Sequence, residues 1–271
     1  MLIAYVNDAL ITCGGIITNF EHCRELRKRG YDAFISANGR NPQLEKEYPD
    51  VPVYPITKLS QLQDEDVLIA NWWMQCDQLI NYKGKKFQFV QGNDLKAYIG
   101  DELKAKCLKT RQDPRWKLIA VSQYAGEWTG REFQIVPNGI SERFFIQHNL
   151  NRDIDALIEG NNEPNKNILY SINEAKKDGH KRIVWLGRET QPIAGVETIT
   201  NPPQQEIPKI YQRAKHFYKH SLSEGFCLPI LEAKASGCII HTWDQGNNFP
   251  EDVDPKEYTW ERAIDKLLQI I

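Results

Sequence analysis

No apolar stretch in this sequence approaches the roughly 20 residues needed to cross a bilayer. The opening MLIAYVNDAL lacks the basic start and small-residue cleavage site of a secretion signal. Both absences point to a cytoplasmic protein. The six cysteines, Cys13, Cys23, Cys76, Cys107, Cys227 and Cys238, form no C-x-x-C pair and show no metal-ligand spacing. Reduced and mostly buried thiols are expected. Charge of one sign is not in excess either: 34 Lys and Arg stand against 36 Asp and Glu, for a formal net charge of -2. The near-balance holds in both halves, which excludes a nucleic-acid-binding arm. What is present is apolar material, 41% of 271 residues with 10% aromatic, enough for one large or two modest packed domains.

Short apolar runs alternate with helical patterns. LIAYVN (2–7) predicts a strand, Gly14-Gly15 a turn, and Phe20, Cys23 and Leu26 a helix that Gly30 closes before YDAFIS. The alternation repeats through 66–72, 86–92, a helix from Asp94 to about Cys107, 116–122 and a helix near 124–131. Such βα units favour a parallel sheet covered on both faces. After a Pro-Asn-Gly turn, the polar stretch Ser141 to Arg152 reads as a linker. The pattern then restarts: a strand at 153–160, a helix over about 165–177, a strand at 181–187, a helix at 206–214 and a strand at 216–221. A helix opened by Pro229 and ended by Gly237, a strand at 238–243 and an amphipathic helix at 258–271 complete it. The fold class expected is α/β, two Rossmann-like doubly wound domains with an interdomain cleft. The domains expected are residues 1–137 and 138–253, with 254–271 packing back on the first. In open α/β sheets ligands bind beyond the carboxyl ends of the strands.

Gly14-Gly15 lets a phosphate or sugar approach a helix N-terminus, although a plain turn explains it equally well, and the full dinucleotide fingerprint G-x-G-x-x-G is missing. More informative is the run His220 to Ala233. It places Glu224 on the loop leaving a strand and Glu232 eight residues on, in the following helix, with Pro229 in the first helical turn. Fixed backbone donors beside two carboxylates suit a polyhydroxylated ligand, while a pair of helix-capping glutamates is the alternative.

The run SLSEGFCLPILEAKASGCII resembles the E-x7-E signature of retaining glycosyltransferases with the GT-B fold, in particular family 4. AVSQYAGEW, VPNGISERFF and the terminal YTWERAIDKLL follow in the order that family shows, so the resemblance covers nearly the whole chain. It implies that Glu232 binds the nucleotide ribose, that Glu224 lies beside the donor sugar and diphosphate, and that Gly225, Phe226, Cys227 and Leu228 line the donor. Gly14 and Gly15 would face the same donor. EGNNEPNKN resembles the family's G-R-x-x-x-x-K-G, which makes Lys166 the cation that neutralises the leaving diphosphate. Asn161 stands where a second basic residue is usual and Cys227 where glycine is usual. Arg188 is the possible compensating charge.

The activity so implied is transfer of a hexose from a nucleoside diphosphate sugar to a hydroxyl of a glycan or lipid-linked acceptor. No cofactor or metal is expected, since Lys166 and a helix dipole take the metal's role, and no segment is assigned the D-x-D metal signature of the single-domain transferases. The alternatives are an epimerase or hydrolase on the same fold, or a non-catalytic nucleotide-sugar-binding module. Trp72, Trp73, Gln91 and Asn93, at the ends of two strands, are candidates for acceptor contacts, with core packing the alternative for the tryptophans. Lys104, Lys106, Lys109, Arg111, Arg115 and Lys117 form either a solvated face or a peripheral membrane contact. His22 and His216 are expected to be structural; His148, His180 and His241 are expected in or near exposed loops.

Overall fold

The computed structural model describes residues 1–96, 100–146, 151–243 and 253–271. The chain divides into two compact units, Met1–Gly139 with Trp260–Ile271, and Ile140–Thr259. Among the described residues no helix is long and apolar enough to cross a membrane.

The first unit runs β1 (Leu2–Asn7), α1 (Gly14–Lys28), β2 (Asp32–Ala37), α2 (Pro42–Glu47), β3 (Val53–Tyr54), β4 (Val67–Ala70), α3 (Cys76–Leu79), β5 (Lys85–Val90), α4 (Asp101–Arg111), β6 (Lys117–Ala120), α5 (Gln123–Glu127) and β7 (Gln134–Ile135). The strands form one sheet in the order β3-β2-β1-β4-β5-β6-β7, each pair parallel. Consecutive residues Ile3 to Val6 and Val67 to Ala70 are all buried. That is the signature of strands covered on both faces, as the unbroken apolar runs predict. Gly30, with φ +84, ends the α1 segment where Arg27 and Lys28 meet the negative end of the helix dipole.

The second unit runs β8 (Ile154–Glu159), α6 (Ile168–Lys177), β9 (Ile183–Gly187), β10 (Glu197–Thr200), α7 (Ile207–Arg213), β11 (Ala214–Lys219), α8 (Leu228–Ala235) and β12 (Ile239–Thr242). Its parallel sheet has the order β10-β9-β8-β11-β12. Alternate strand residues feed two cores. Ile158, Trp185 and Tyr218 pack against Ile168 and Ile172 of α6 on one face. Leu157, Leu186 and Phe217 pack against Ile210, Ile230 and Leu231 on the other. The last helix, α9 (Trp260–Leu268), belongs to the first unit: Arg29 meets Asp265 at 2.6 Å and the Glu261 carbonyl at 2.8 Å, and the Trp260 and His22 rings lie 5.8 Å apart.

Several local expectations are corrected. The stretch from Ser141 is not a linker up to Ile146: Phe144 is buried in the second unit's core, and Ile146 N–H donates to the Ala235 carbonyl at 3.0 Å. Arg152 then donates to the Gly237 carbonyl at 2.7 Å. The segment at 134–140 contributes β7, and β10 stands where only a loop was expected before Glu206. The helix expected from Asp94 is a single 3-10 turn, Asp94–Lys96, followed by α4 from Asp101; residues 97–99 between them lie outside the described residues.

Two glycines bring the ends of β8 and β9 together. A Cβ on Gly187 would sit 2.5 Å from the Gly160 carbonyl, which the Trp185 indole already holds at 2.8 Å. Gly187→Ala is therefore expected to cost about 2–3 kcal/mol of stability through overpacking, read as a lower denaturation midpoint with an unchanged slope; an unchanged midpoint would refute this.

Candidate functional site

The strand order places a topological switch between β8 and β11, because the chain steps from β8 outward to β9 and β10 and then returns to the other side with β11. Ligand sites in such sheets form beyond the carboxyl ends of the two switch strands. Here those ends carry Glu159 and Lys219. Both β8 and β11 open into loops that meet. Gly160 takes φ +142, and a Cβ there would press on Ile168 at 3.1 Å and Lys166 at 3.4 Å, so glycine lets the 161–167 loop fold back closely. Asn167, in the left-handed region at φ 51, turns the loop into α6; asparagine tolerates that conformation better than most side chains. Leu222 N–H donates to the Asn165 carbonyl at 2.7 Å and ties the two loops together.

The result is that Lys166 Nζ donates to both oxygens of Glu224, at 2.9 and 3.1 Å, across 58 residues of sequence. Lys219 lies deeper, its side chain 3% exposed, and donates to Glu159 Oε2 at 2.7 Å and to the Glu159 carbonyl at 3.0 Å. Its ammonium is also 3.6 Å from Glu224 Oε1. Four groups thus form a chain, Lys166, Glu224, Lys219 and Glu159. Burial disfavours the Lys219 charge, but Glu159 and then Glu224 outweigh it and hold the ammonium proton firmly. Burial pushes the Glu224 carboxyl up, and Lys219 and Lys166 more than reverse that, leaving it ionised below the usual carboxylate range. Glu232 is the opposite case: burial and the nearby Glu159 charge raise it to about 8, against the weaker pull of Lys219 and a hydrogen bond with Tyr211. The two carboxylates of the E-x7-E pair therefore differ in charge at neutral pH.

Lys219 and Glu159 were not singled out from sequence. The available signal was a charge at the inner end of each of two apolar strands, HFYKHS and IDALIE.

Asn161 is built into the loop, its Oδ1 accepting from Arg188 N–H at 2.9 Å and its Nδ2 donating to Glu163 at 3.4 Å. Arg188 thus meets the motif through its backbone. Cys227 is wholly buried at the start of α8, and burial raises its thiol to about 12, so it is an inert core residue. Phe226 packs on Tyr258 at 5.8 Å, Leu228 begins α8, and Gly225 lies between Glu224 and Phe226. The D-x-D spacing, expected to be absent, does occur, at 64–66, 153–155 and 252–254. Asp66 accepts from the Leu2 and Gln63 N–H groups at 2.7 and 2.8 Å, Asp153 is held by Arg182 and Arg213, Asp155 by Lys215 at 2.8 Å, and Asp252 lies outside the described residues.

In the first unit the matching switch falls between β1 and β4. A cluster of amides fills it. Asn19 Nδ2 donates to Asn7 Oδ1 at 2.8 Å, Asn71 Nδ2 to the same oxygen at 3.3 Å, and Gln91 Nε2 to Asn71 Oδ1 at 2.5 Å and to the Gly15 carbonyl at 3.1 Å. Gly14 and Gly15 are the first residues of α1 itself, and a Cβ on Gly15 would meet the Gln91 amide oxygen at 3.0 Å. Gln91 is thus a structural tie as well as a strand-end amide. Trp72 is 45% exposed, whereas Trp73 is buried in the core, so of this pair only Trp72 presents a ring face. Asn93 Oδ1 accepts from Leu95 N–H at 3.1 Å.

The basic set loses Arg111, which is buried and bonded to Asp94 at 2.8 Å and Gln88 at 3.1 Å; Lys106, Lys109, Arg115 and Lys117 are exposed. His22 is buried and lowered to about 3 by desolvation. His180 and His241 are half-buried rather than loop-exposed: His216 and His241 share a 2.9 Å bond, and His180 meets the Tyr218 hydroxyl at 2.9 Å. His148 lies outside the described residues.

No family model and no curated protein matches the sequence. Solved structures do match over nearly the full chain. Anabaena HepE in complex with UDP-glucose is 11% identical, with a TM-score of 0.72 covering 99% of this chain and 89% of that one. TarM is 10% identical, with a TM-score of 0.72 over 99% and 91%. The lipopolysaccharide outer core galactosyltransferase WaaB is 17% identical, with a TM-score of 0.61 over 100% and 90%. The two parallel sheets are those of the GT-B glycosyltransferase fold.

Proposed function

We propose that this chain is a retaining, metal-independent glycosyltransferase that moves a hexose from a nucleoside diphosphate sugar to a hydroxyl of a glycan or lipid-linked acceptor. The observation that carries the reading is Lys166 held on Glu224 at the β8/β11 switch, with Glu232 one helix turn pair further on. A cation there meets the charge that grows on the leaving diphosphate as its bond to the sugar breaks. Glu224 accepts from sugar hydroxyls, Glu232 from the ribose, and the N–H groups at the start of α8 face the same anion. The acceptor oxygen forms the new bond on the face that the phosphate leaves, and its proton passes to the departing phosphate oxygen. The UDP-glucose complex of HepE, on the same fold, supports this donor class.

Thermal unfolding with UDP-, GDP- and dTDP-sugars tests it. At about 100 times Kd a ligand adds about 2.7 kcal/mol, so a rise in Tm of about 5 °C or more is expected with one donor class. A panel without any shift sinks the reading. Donor consumption that no hydroxyl acceptor accelerates would mark a hydrolase or epimerase instead.

A further inference from the structure

Lys166 cannot serve two anions at once. In the structure it spends two hydrogen bonds, at 2.9 and 3.1 Å, on Glu224. A diphosphate that recruits it would strip Glu224 of its nearest counter-ion in a half-buried site, and an uncompensated buried carboxylate is costly. The second ammonium, Lys219, stands 3.6 Å from Glu224 Oε1, just beyond hydrogen-bond length, and is anchored from below by Glu159 at 2.7 Å. It is too deeply buried, at 3% side-chain exposure, to reach a ligand itself. Its position at the end of β11 is fixed by the ladder to β8, which sets Tyr218 opposite Ile158.

Resting on the reading of this site as a nucleoside diphosphate site, we propose that Lys219 is a positioning residue that takes over Glu224 when Lys166 turns to the diphosphate. Glu159 holds Lys219 in readiness. The pair is a standing counter-ion that makes Lys166 exchangeable, without touching the ligand. A solely structural Lys219 would do no more than balance Glu159. An ammonium that also serves Glu224 must in addition set how tightly Lys166 is retained.

Three proteins separate these roles: wild type, Lys219→Met, and the charge-balanced Lys219→Met/Glu159→Gln, which removes the buried pair together and so preserves the fold if the single variant does not. Binding of UDP and of GDP is measured by calorimetry from pH 5.5 to 8.5. The wild type is expected to bind one of them with a profile set by the nucleotide's own terminal phosphate, which titrates at about pH 6, and by Glu232, raised to about 8, so each variant is read as its ratio to wild type at the same pH. Both variants are expected to bind it about 10- to 100-fold more weakly, and to gain a new pH dependence. With Lys219 gone, Lys166 is the nearest ammonium left to Glu224, so its carboxyl is expected to rise, and binding relative to wild type is expected to improve as falling pH protonates it and frees Lys166. A double variant that binds like wild type at every pH overturns the proposal and leaves Lys219 structural. Wild type that binds neither nucleotide overturns instead the donor-site reading on which it rests.

Discussion

Lys166→Met is expected to lower turnover by about 10²–10³-fold, the usual scale for losing one preorganised charge stabiliser of a leaving group, while Tm moves by no more than a degree or two. The small stability effect follows from the geometry. The Lys166 side chain is 23% exposed and its pair with Glu224 is partly solvated, so the bond itself is weakly stabilising. Lys219 remains beside Glu224 when Lys166 is gone. Steady-state rates with saturating donor, together with a melting curve, read both quantities. Wild-type turnover in this variant would end the assignment of Lys166 to the diphosphate, whatever the protein binds.

Glu232→Gln is expected to raise stability at alkaline pH and to weaken nucleotide binding by up to about tenfold, the worth of one neutral hydrogen bond. The sign follows from proton counting. The carboxyl is raised from its ordinary 4.5 to about 8 in the folded protein, so between those values the native state holds a proton that the unfolded chain has lost. Stability contributed by this group is thus full below about pH 4.5 and declines as pH rises to about 8. One pKa unit corresponds to 1.36 kcal/mol; allowing for relaxation and water around a side chain that is mostly but not fully buried, about 2 kcal/mol is at stake. Glutamine keeps the shape and the acceptor for Tyr211 but carries no charge to desolvate. The difference in Tm between variant and wild type should therefore grow by about 5 °C from pH 5 to pH 8.5, and parallel curves would show that Glu232 is not held neutral.

The alternation of apolar runs and helical patterns made the two sheets legible, and the family resemblance singled out Lys166 and Glu224, which the structure brings together. Residues that work through long-range pairing were hidden. Lys219 and Glu159 are 60 residues apart, and each looks like a solubilising charge at a strand end until β8 and β11 are set side by side. Strands such as β3 and β7, two residues long, and β10, with Glu197 and Thr198 exposed, leave too little periodicity to read. Adjacent residues on a turn point in different directions, which is why Trp72 and Trp73 look alike in sequence and differ in burial. Arg111 belongs to a run of basic residues, and only its contact with Asp94 and Gln88 removes it from the surface.

The second unit begins and ends at one place: Ile140 N–H donates to the Tyr258 carbonyl at 2.9 Å, and Ile140 pairs with Thr259 in a parallel bridge. Within the first unit, α9 can pack on α1 only after the chain between Gly139 and Trp260 has been closed into a loop of roughly 120 residues. Closing so long a flexible loop carries an entropic cost of about 4 kcal/mol. Once the second unit has folded, its two ends are already clamped together and almost none of that cost remains. Loop closure thus favours folding of the inserted unit before the final helix packs on α1, and a lesion at the Ile140–Thr259 clamp is expected to slow completion of the first unit without touching any residue of its core, as refolding kinetics would read.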